Sequence, residues 1–301
     1  MFTPPAIVEA TVFASLPEKF RVTENPDIRF GHARDSFLEG VAFDRAGNLY
    51  CSDIPYGRIF RISPAGQFEL ALRYDGRPNG LAFHSDGRLF IADQRRGLLA
   101  LDLERGELET ILDGGFAEPF RGLNDLTFTK TGDLYFSDQG QSGLQKPNGS
   151  LYRLSADGRL DRLLDNIPSP NGMALSGDDS TLYLAVTRAN AVWRVPLAHF
   201  ENGSPTRVGT YLHLSGGTGP DGVAMGDDGS LAVTHIGLGT VWFFDRLGEP
   251  VLRIRSPAGL STTSVAFGGP EGRTLFITES ATGRILCAEA PVAGEKLFSH
   301  S

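Results

Sequence analysis

The sequence predicts an all-β fold, a six-bladed β-propeller with four-stranded antiparallel blades around a central channel. Three observations predict it. A five-residue phrase recurs six times: EGVAF (Glu39 to Phe43), NGLAF (Asn79 to Phe83), NDLTF (Asn124 to Phe128), NGMAL (Asn171 to Leu175), DGVAM (Asp221 to Met225) and TSVAF (Thr263 to Phe267). The copies start 40, 45, 47, 50 and 42 residues apart, and a period of roughly 40–50 residues holding several short strands marks a propeller blade. Each copy passes through a polar turn into a second apolar phrase. These end in order at Asp53, Asp93, Asp138, Val186, His235 and Glu279.

Residues 1–38 precede the first copy. Ile7 to Phe13 (IVEATVF) alternates like a strand, and a propeller must close its ring. IVEATVF is therefore expected beside Arg284 to Ala288 (RILCA), where it would cover an open edge. Asn25 to Phe37, rich in turn residues, is expected to cross one face. Blade one then spans about Glu39 to Tyr74, with turns at Asp44 to Gly47 and Ser63 to Gly66, where glycine makes positive φ cheap. Blades two to six repeat the plan over Asn79 to Leu112, Asn124 to Leu164, Asn171 to Tyr211, Asp221 to Ile254 and Thr263 to Ala290. Blade three carries an insertion, QGQSGLQKPNGS. No helical periodicity is long enough for a second unit, so residues 1–301 read as one domain.

Thirty-seven Gly and 18 Pro fit a chain of tight turns, and 41% apolar residues suffice for a packed core. The net charge of −8 and the lack of a Lys/Arg cluster argue against nucleic acid or an anionic membrane as partner. The N-terminus lacks a secretory pattern and no apolar run approaches ~20 residues. Cys51 and Cys287 read as free thiols. The expectation is a soluble, cytoplasmic monomer acting on a small molecule.

In a propeller the innermost strands line the axis. The first residue of each phrase should point there, bringing Glu39, Asn79, Asn124, Asn171, Asp221 and Thr263 into one ring. All six are polar, which packing does not require. Carboxylates and amides converging in a half-buried space are costly without a partner, and a divalent cation is the simplest one. Only oxygen donors are present, which favours Ca²⁺, then Mg²⁺ or Mn²⁺, with Zn²⁺ behind. The bland alternative is that Asn-Gly and Asp-Gly are turn residues at strand starts. The residues ending the second strands are expected at the same face. Asp53 and Asp93 read equally well as backbone-bonding turn residues, and His235 as a proton shuttle or a structural histidine. His32, His84, His199, His213 and His300 share no spacing with a site. There is no GxSxG and no glycine-rich turn opening a helix.

The motifs SFLEG around Glu39, GLND around Asn124, SPNG around Asn171 and GPDG around Asp221 resemble the gluconolactonase, regucalcin and luciferin-regenerating-enzyme family, over about Ser36 to Glu289. The resemblance implies a six-bladed propeller with one catalytic divalent metal held by Glu39, Asn124, Asn171 and Asp221. It also implies Asp221 as general base or nucleophile. Asn79, Asn124 and Thr263 would face substrate or support the ligands, and Arg121 would contact substrate, although RGLN spaces it one residue further from Asn124 than the family's R-x-N. The implied reaction is lactone hydrolysis: the metal polarises the carbonyl and an activated water attacks. From its place in the second-strand column, His235 is the residue expected to hand a proton to the leaving oxygen. A phosphotriesterase or arylesterase on the same site, and a non-catalytic Ca²⁺-binding propeller, are the alternatives. Specificity is expected in Asn25 to Phe37, Phe116 to Leu123 and Gln139 to Gly149.

Overall fold

The computed structural model describes residues 4–24, 27–29, 32–116, 118–198 and 207–300. Six antiparallel blades surround the axis. Their inner strands are Leu38–Phe43, Pro78–Phe83, Leu123–Phe128, Pro170–Leu175, Gly219–Met225 and Thr262–Gly268, so every copy of the repeated phrase is an inner strand. Each inner strand packs on the next around the axis, and the sixth packs on the first. Apart from the blades, the described residues hold two small hairpins, Asp27–Arg29 with His32–Arg34 and Gly114–Gly115 with Glu118–Pro119. Parts of the stretch expected to cross a face, and His199, lie outside the described residues.

The core is not one lump but a wedge between each pair of neighbouring blades. Phe60 and Phe68 of blade one meet Phe276 and Ile285 of blade six; Phe90 and Leu98 of blade two meet Leu126 and Phe136 of blade three. Alternating strand residues face the two neighbours in turn, which is why both faces of most strands are apolar. Fully buried side chains such as Phe60, Phe136 and Phe243 each contribute roughly 1.5–3 kcal/mol. Cys51 is buried in the wedge between blades one and six and Cys287 packs against it; both are free thiols.

Ring closure departs from expectation in one respect. Ile7 to Phe13 is not a single strand beside Arg284–Glu289. Thr11–Ser15 pairs antiparallel with that strand and completes blade six, but Ala6–Glu9 runs parallel to Pro250–Arg255 as a fifth strand on blade five. The break falls at Ala10, whose N–H donates to Arg255 O at 2.9 Å while its methyl is buried between the two blades. The apolar alternation continues through this pivot, so sequence alone shows one strand where the chain makes two.

Every inner strand carries a one-residue bulge at the start of its phrase. In blade four, three steps from Pro170 to Met173 face two steps from Val186 to Leu184, and blade five does the same between Pro220 and Val223. Blades one, two, three and six shift register at the matching place. A bulge re-aims a side chain, and here it falls on the axial residues. The glycine that follows is demanded by close approach: a Cβ on Gly40 would lie 2.1 Å from Asn79 O, and one on Gly172 would lie 2.3 Å from Asp221 O. These glycines let neighbouring inner strands touch at the axis.

Candidate functional site

The structure brings the six axial residues together at the start of the inner strands, all of them buried: Glu39, Asn79, Asn124, Asn171, Asp221 and Thr263. A seventh group joins them. Asp125 takes the second place in its phrase, where four of the other copies have glycine, and its carboxylate lies over Gly80. Its Oδ2 accepts from Met173 N at 3.1 Å. Asp125 is absent from the ring expected from the sequence because it takes the second place in its phrase; its signal there is the one acidic residue in the glycine column.

The buried Glu39 and Asp221 carboxylates and the partly buried Asp125 repel one another. Burial pushes the Glu39 carboxyl well above the ordinary range, and the charges of Asp221 and Asp125 push it further. Burial, then Asp125, also raises Asp221, against a hydrogen bond from Asn171. Burial raises Asp125 to about 6, opposed by the N–H groups of Leu126 and Met173. Among the described residues no three His, Cys, Asp or Glu side chains form a cation cage on their own. A cation here would need amide oxygens as well; Asn171 follows Asn124 around the ring and stands next to Asp221. An all-oxygen donor set with a surplus of buried negative charge fits a hard divalent cation.

The acids ending the second strands do different work. Asp53 accepts from Phe37 N at 2.7 Å, Asp93 from Arg77 N at 2.7 Å, Asp138 from Arg121 N at 2.9 Å and Glu279 from Ser261 N at 3.2 Å. Each carboxylate clamps the loop that leads into its own blade's inner strand, as the turn-residue reading of Asp53 and Asp93 anticipated. Asp53 also pairs with the buried Arg58 guanidinium, whose Nε lies 2.8 Å away.

His235 is buried with both ring nitrogens engaged. Trp242 Nε1 donates to Nδ1 at 3.3 Å, and Nε2 lies 2.9 Å from Gly216 O. The indole can only donate, so Nδ1 accepts and the proton sits on Nε2, facing the carbonyl. Burial holds its pKa down. The expected proton relay has no free ring atom to work with. Arg121 is likewise turned outward: its guanidinium donates to Asn148 O at 2.7 Å and lies 3.9 Å from Glu118. The Thr263 hydroxyl is held at 2.7 Å from Ser280 Oγ and 2.9 Å from Thr278 Oγ1.

Beyond the axial residues the channel widens into a cavity of about 840 Å³ with Gly40 and Asp125 in its wall and apolar side chains such as Val41, Met173 and Val265 below. Its far end is crossed by residues 293–300. Gly294 N donates to Gly272 O and Glu295 N to Met225 O, both at 2.9 Å, and Glu295 pairs with Lys130 at 3.0 Å. Phe298 packs edge-on against His84. The loops clamped by Asp53, Asp93, Asp138 and Glu279 lie at the opposite end of the channel.

The chain matches the family described as SMP-30/gluconolactonase/LRE-like over residues 37–281, a span that holds every axial residue. It belongs to that family. Relatives within the SMP-30/gluconolactonase/LRE-like family include proteins named lactonase drp35. The one from Staphylococcus saprophyticus is 30% identical over 232 residues, covering 73% of this chain and 70% of the relative. That of Staphylococcus epidermidis is 31% identical over 234 residues, with the same shares covered. Among solved structures, a regucalcin of Agrobacterium tumefaciens described as a calcium-binding protein superposes with a TM-score of 0.72 at 25% identity, over 95% of this chain and 97% of that one. A gluconolactonase of Xanthomonas campestris shares the fold, with a TM-score of 0.74 at 23% identity over 97% of this chain and 100% of that one. No helix among the described residues is long and apolar enough to cross a membrane.

Proposed function

We propose that this protein is a divalent-metal-dependent lactonase, with Glu39, Asn124, Asn171 and Asp221 as metal ligands. The observation that carries the reading is the buried excess of carboxylate at the axis, Glu39 and Asp221 backed by Asp125, with amides completing an oxygen-only ring. Ca²⁺ suits that donor set best, and the resemblance to a calcium-binding regucalcin supports it. The lactonase names of the relatives support the substrate class.

When bound, the cation would offset the clustered charge and polarise the lactone carbonyl. Asp221 accepts a proton from the attacking water and returns it to the ring oxygen as the C–O bond breaks. His235 takes no part in that transfer; it props the loop carrying Gly216. Asn79 and Asn124 orient the substrate beside the carboxylates. Arg121 acts on the loops of the mouth rather than at the carbonyl.

A panel of sugar and aliphatic lactones, with a phosphotriester and an aryl ester beside them, tested on chelator-stripped protein with Ca²⁺, Mg²⁺, Mn²⁺ or Zn²⁺ restored singly, tests the proposal. Metal-restored hydrolysis that is lost in Asp221→Asn is the expected result. Metal binding without turnover on any lactone, phosphotriester or aryl ester would favour the second reading, a calcium-binding propeller, which the regucalcin likeness also supports.

A further inference from the structure

Blade four breaks the pattern of acids that end the second strands. Where blades one, two, three and six place Asp or Glu, it has Val186. The next residue, Thr187, is 4% exposed and makes a different set of contacts. Its hydroxyl donates to Pro220 O at 2.8 Å, on the residue before Asp221. Asn171 Nδ2 donates to that same hydroxyl at 3.1 Å. Thr187 thus ties blade four's axial amide to the backbone that leads into blade five's axial residue, Asp221.

A hydroxyl has a single hydrogen, and Pro220 O, which can only accept, takes it. The partner from Asn171 must then be a donor, so the end of the amide facing Thr187 is nitrogen. The oxygen is the atom left over for a cation. The backbone of Asn171 is fixed as well, because Ser137 Oγ of blade three donates to its carbonyl at 2.9 Å. The turn that carries Thr187 is held in place too: Thr187 N donates to Ser169 O at 3.0 Å, and Gly219 packs so closely that a Cβ there would lie 2.1 Å from Thr187 O.

We infer that Thr187 is a positioning residue for the cation site, holding the Asn171 amide with its oxygen available for coordination. The inference rests on the proposed role of Asn171 as a ligand. Groups that orient a metal ligand from behind typically account for 10–100-fold in affinity. Valine is nearly the same shape without the hydroxyl, whereas serine keeps the hydroxyl and loses the methyl.

The test has two independent arms. The first measures Ca²⁺ affinity by calorimetry on stripped wild type, Thr187→Val, Thr187→Ser and Asp221→Asn, with a thermal melt of each. Thr187→Val is expected to bind roughly 10–100-fold more weakly, while Thr187→Ser stays within about threefold of wild type. Wild-type affinity in Thr187→Val, or equal loss in both Thr187 variants, would overturn the inference. Binding unaltered in Asp221→Asn would instead overturn the site itself. The second arm needs no metal: hydrogen exchange of the Asn171 side-chain amide in ¹⁵N-labelled protein, with the signal assigned by its absence from Asn171→Asp. Slow exchange in wild type and Thr187→Ser, and fast exchange in Thr187→Val, is expected. Equal exchange in all three would overturn the positioning role whatever the metal result.

Discussion

The Asp125 carboxylate occupies the space above Gly80: a Cβ on that glycine would lie 2.5 Å from Asp125 Oδ1 and 2.6 Å from Asp125 Cα. One blade thus supplies a missing side chain so that the next can place a charge at the axis. Gly80→Ala cannot be relieved by a side-chain rotation alone, because the contact includes backbone. It should destabilise the fold by about 1–3 kcal/mol in urea unfolding and lower metal affinity at the same time. A Gly80→Ala protein with wild-type stability would show that the inner strands separate more easily than their packing implies.

Removing one axial carboxylate should have opposite effects on metal binding and on the metal-free fold. Asp221→Asn and Glu39→Gln each take a like charge out of a buried cluster. Each should weaken cation binding by more than the roughly 10–100-fold expected for an outer partner and abolish turnover. The melting temperature of the stripped protein should hold or rise. A fall in that temperature would mean the carboxylate is needed to build the channel.

The pH dependence of the stripped protein carries its own sign. Glu39, Asp125 and Asp221 all have carboxyl groups raised in the folded state, Asp125 to about 6. From the ordinary carboxylate range near pH 4 upward through these values, the folded chain holds more protons than the unfolded one. Stability therefore falls as pH rises across that window. Asp125 alone should account for on the order of 2–3 kcal/mol between pH 4 and pH 7. Unfolding free energies at pH 5 and pH 7.5 with chelator, and again with saturating Ca²⁺, would test this; the cation should remove or reverse the slope.

The buried Asp53–Arg58 pair is a structural bond in the wall of blade one. Arg58→Leu would leave the Asp53 charge buried with Phe37 N as its one remaining hydrogen-bond donor among the described residues. A loss of about 3–5 kcal/mol is expected, with metal affinity falling less than in the axial variants, since Phe37 leads directly to Glu39.

The period of the phrase made the blades and the axial ring legible in the sequence, because each repeat had to bury the same faces. Glu39, Asn171 and Asp221 stood out as polar residues where packing wanted none. What stayed hidden depended on register and on partners far along the chain. A one-residue bulge leaves no mark in an apolar pattern, so the reason for the glycines after Glu39 and Asn171 read as turn chemistry. Asp125 was masked by a neighbour that fitted the expected ring. Asp53 and His235 occupy equivalent positions in their blades, yet their contacts with Phe37 N and with Trp242 and Gly216 O could not be read from the sequence. The segment crossing the far end of the channel has no repeat to announce it.

Thr11 lies beside Cys287, the two being 276 residues apart in the chain. Most other strand pairs in the blades join neighbours along the sequence and can form as soon as a hairpin exists. Closing a loop of this length costs more entropy than any hairpin, and contacts so distant are slow to form. Capture of Thr11–Ser15 by the final blade is therefore expected among the late steps of folding. Ala14 and Phe13 on that strand help to fill the wedge between blades one and six, so its capture seals that wedge. Substitutions at Ala10 or Thr11 should accordingly act first on how quickly the native state is reached and lost, before they touch any chemistry at the axis.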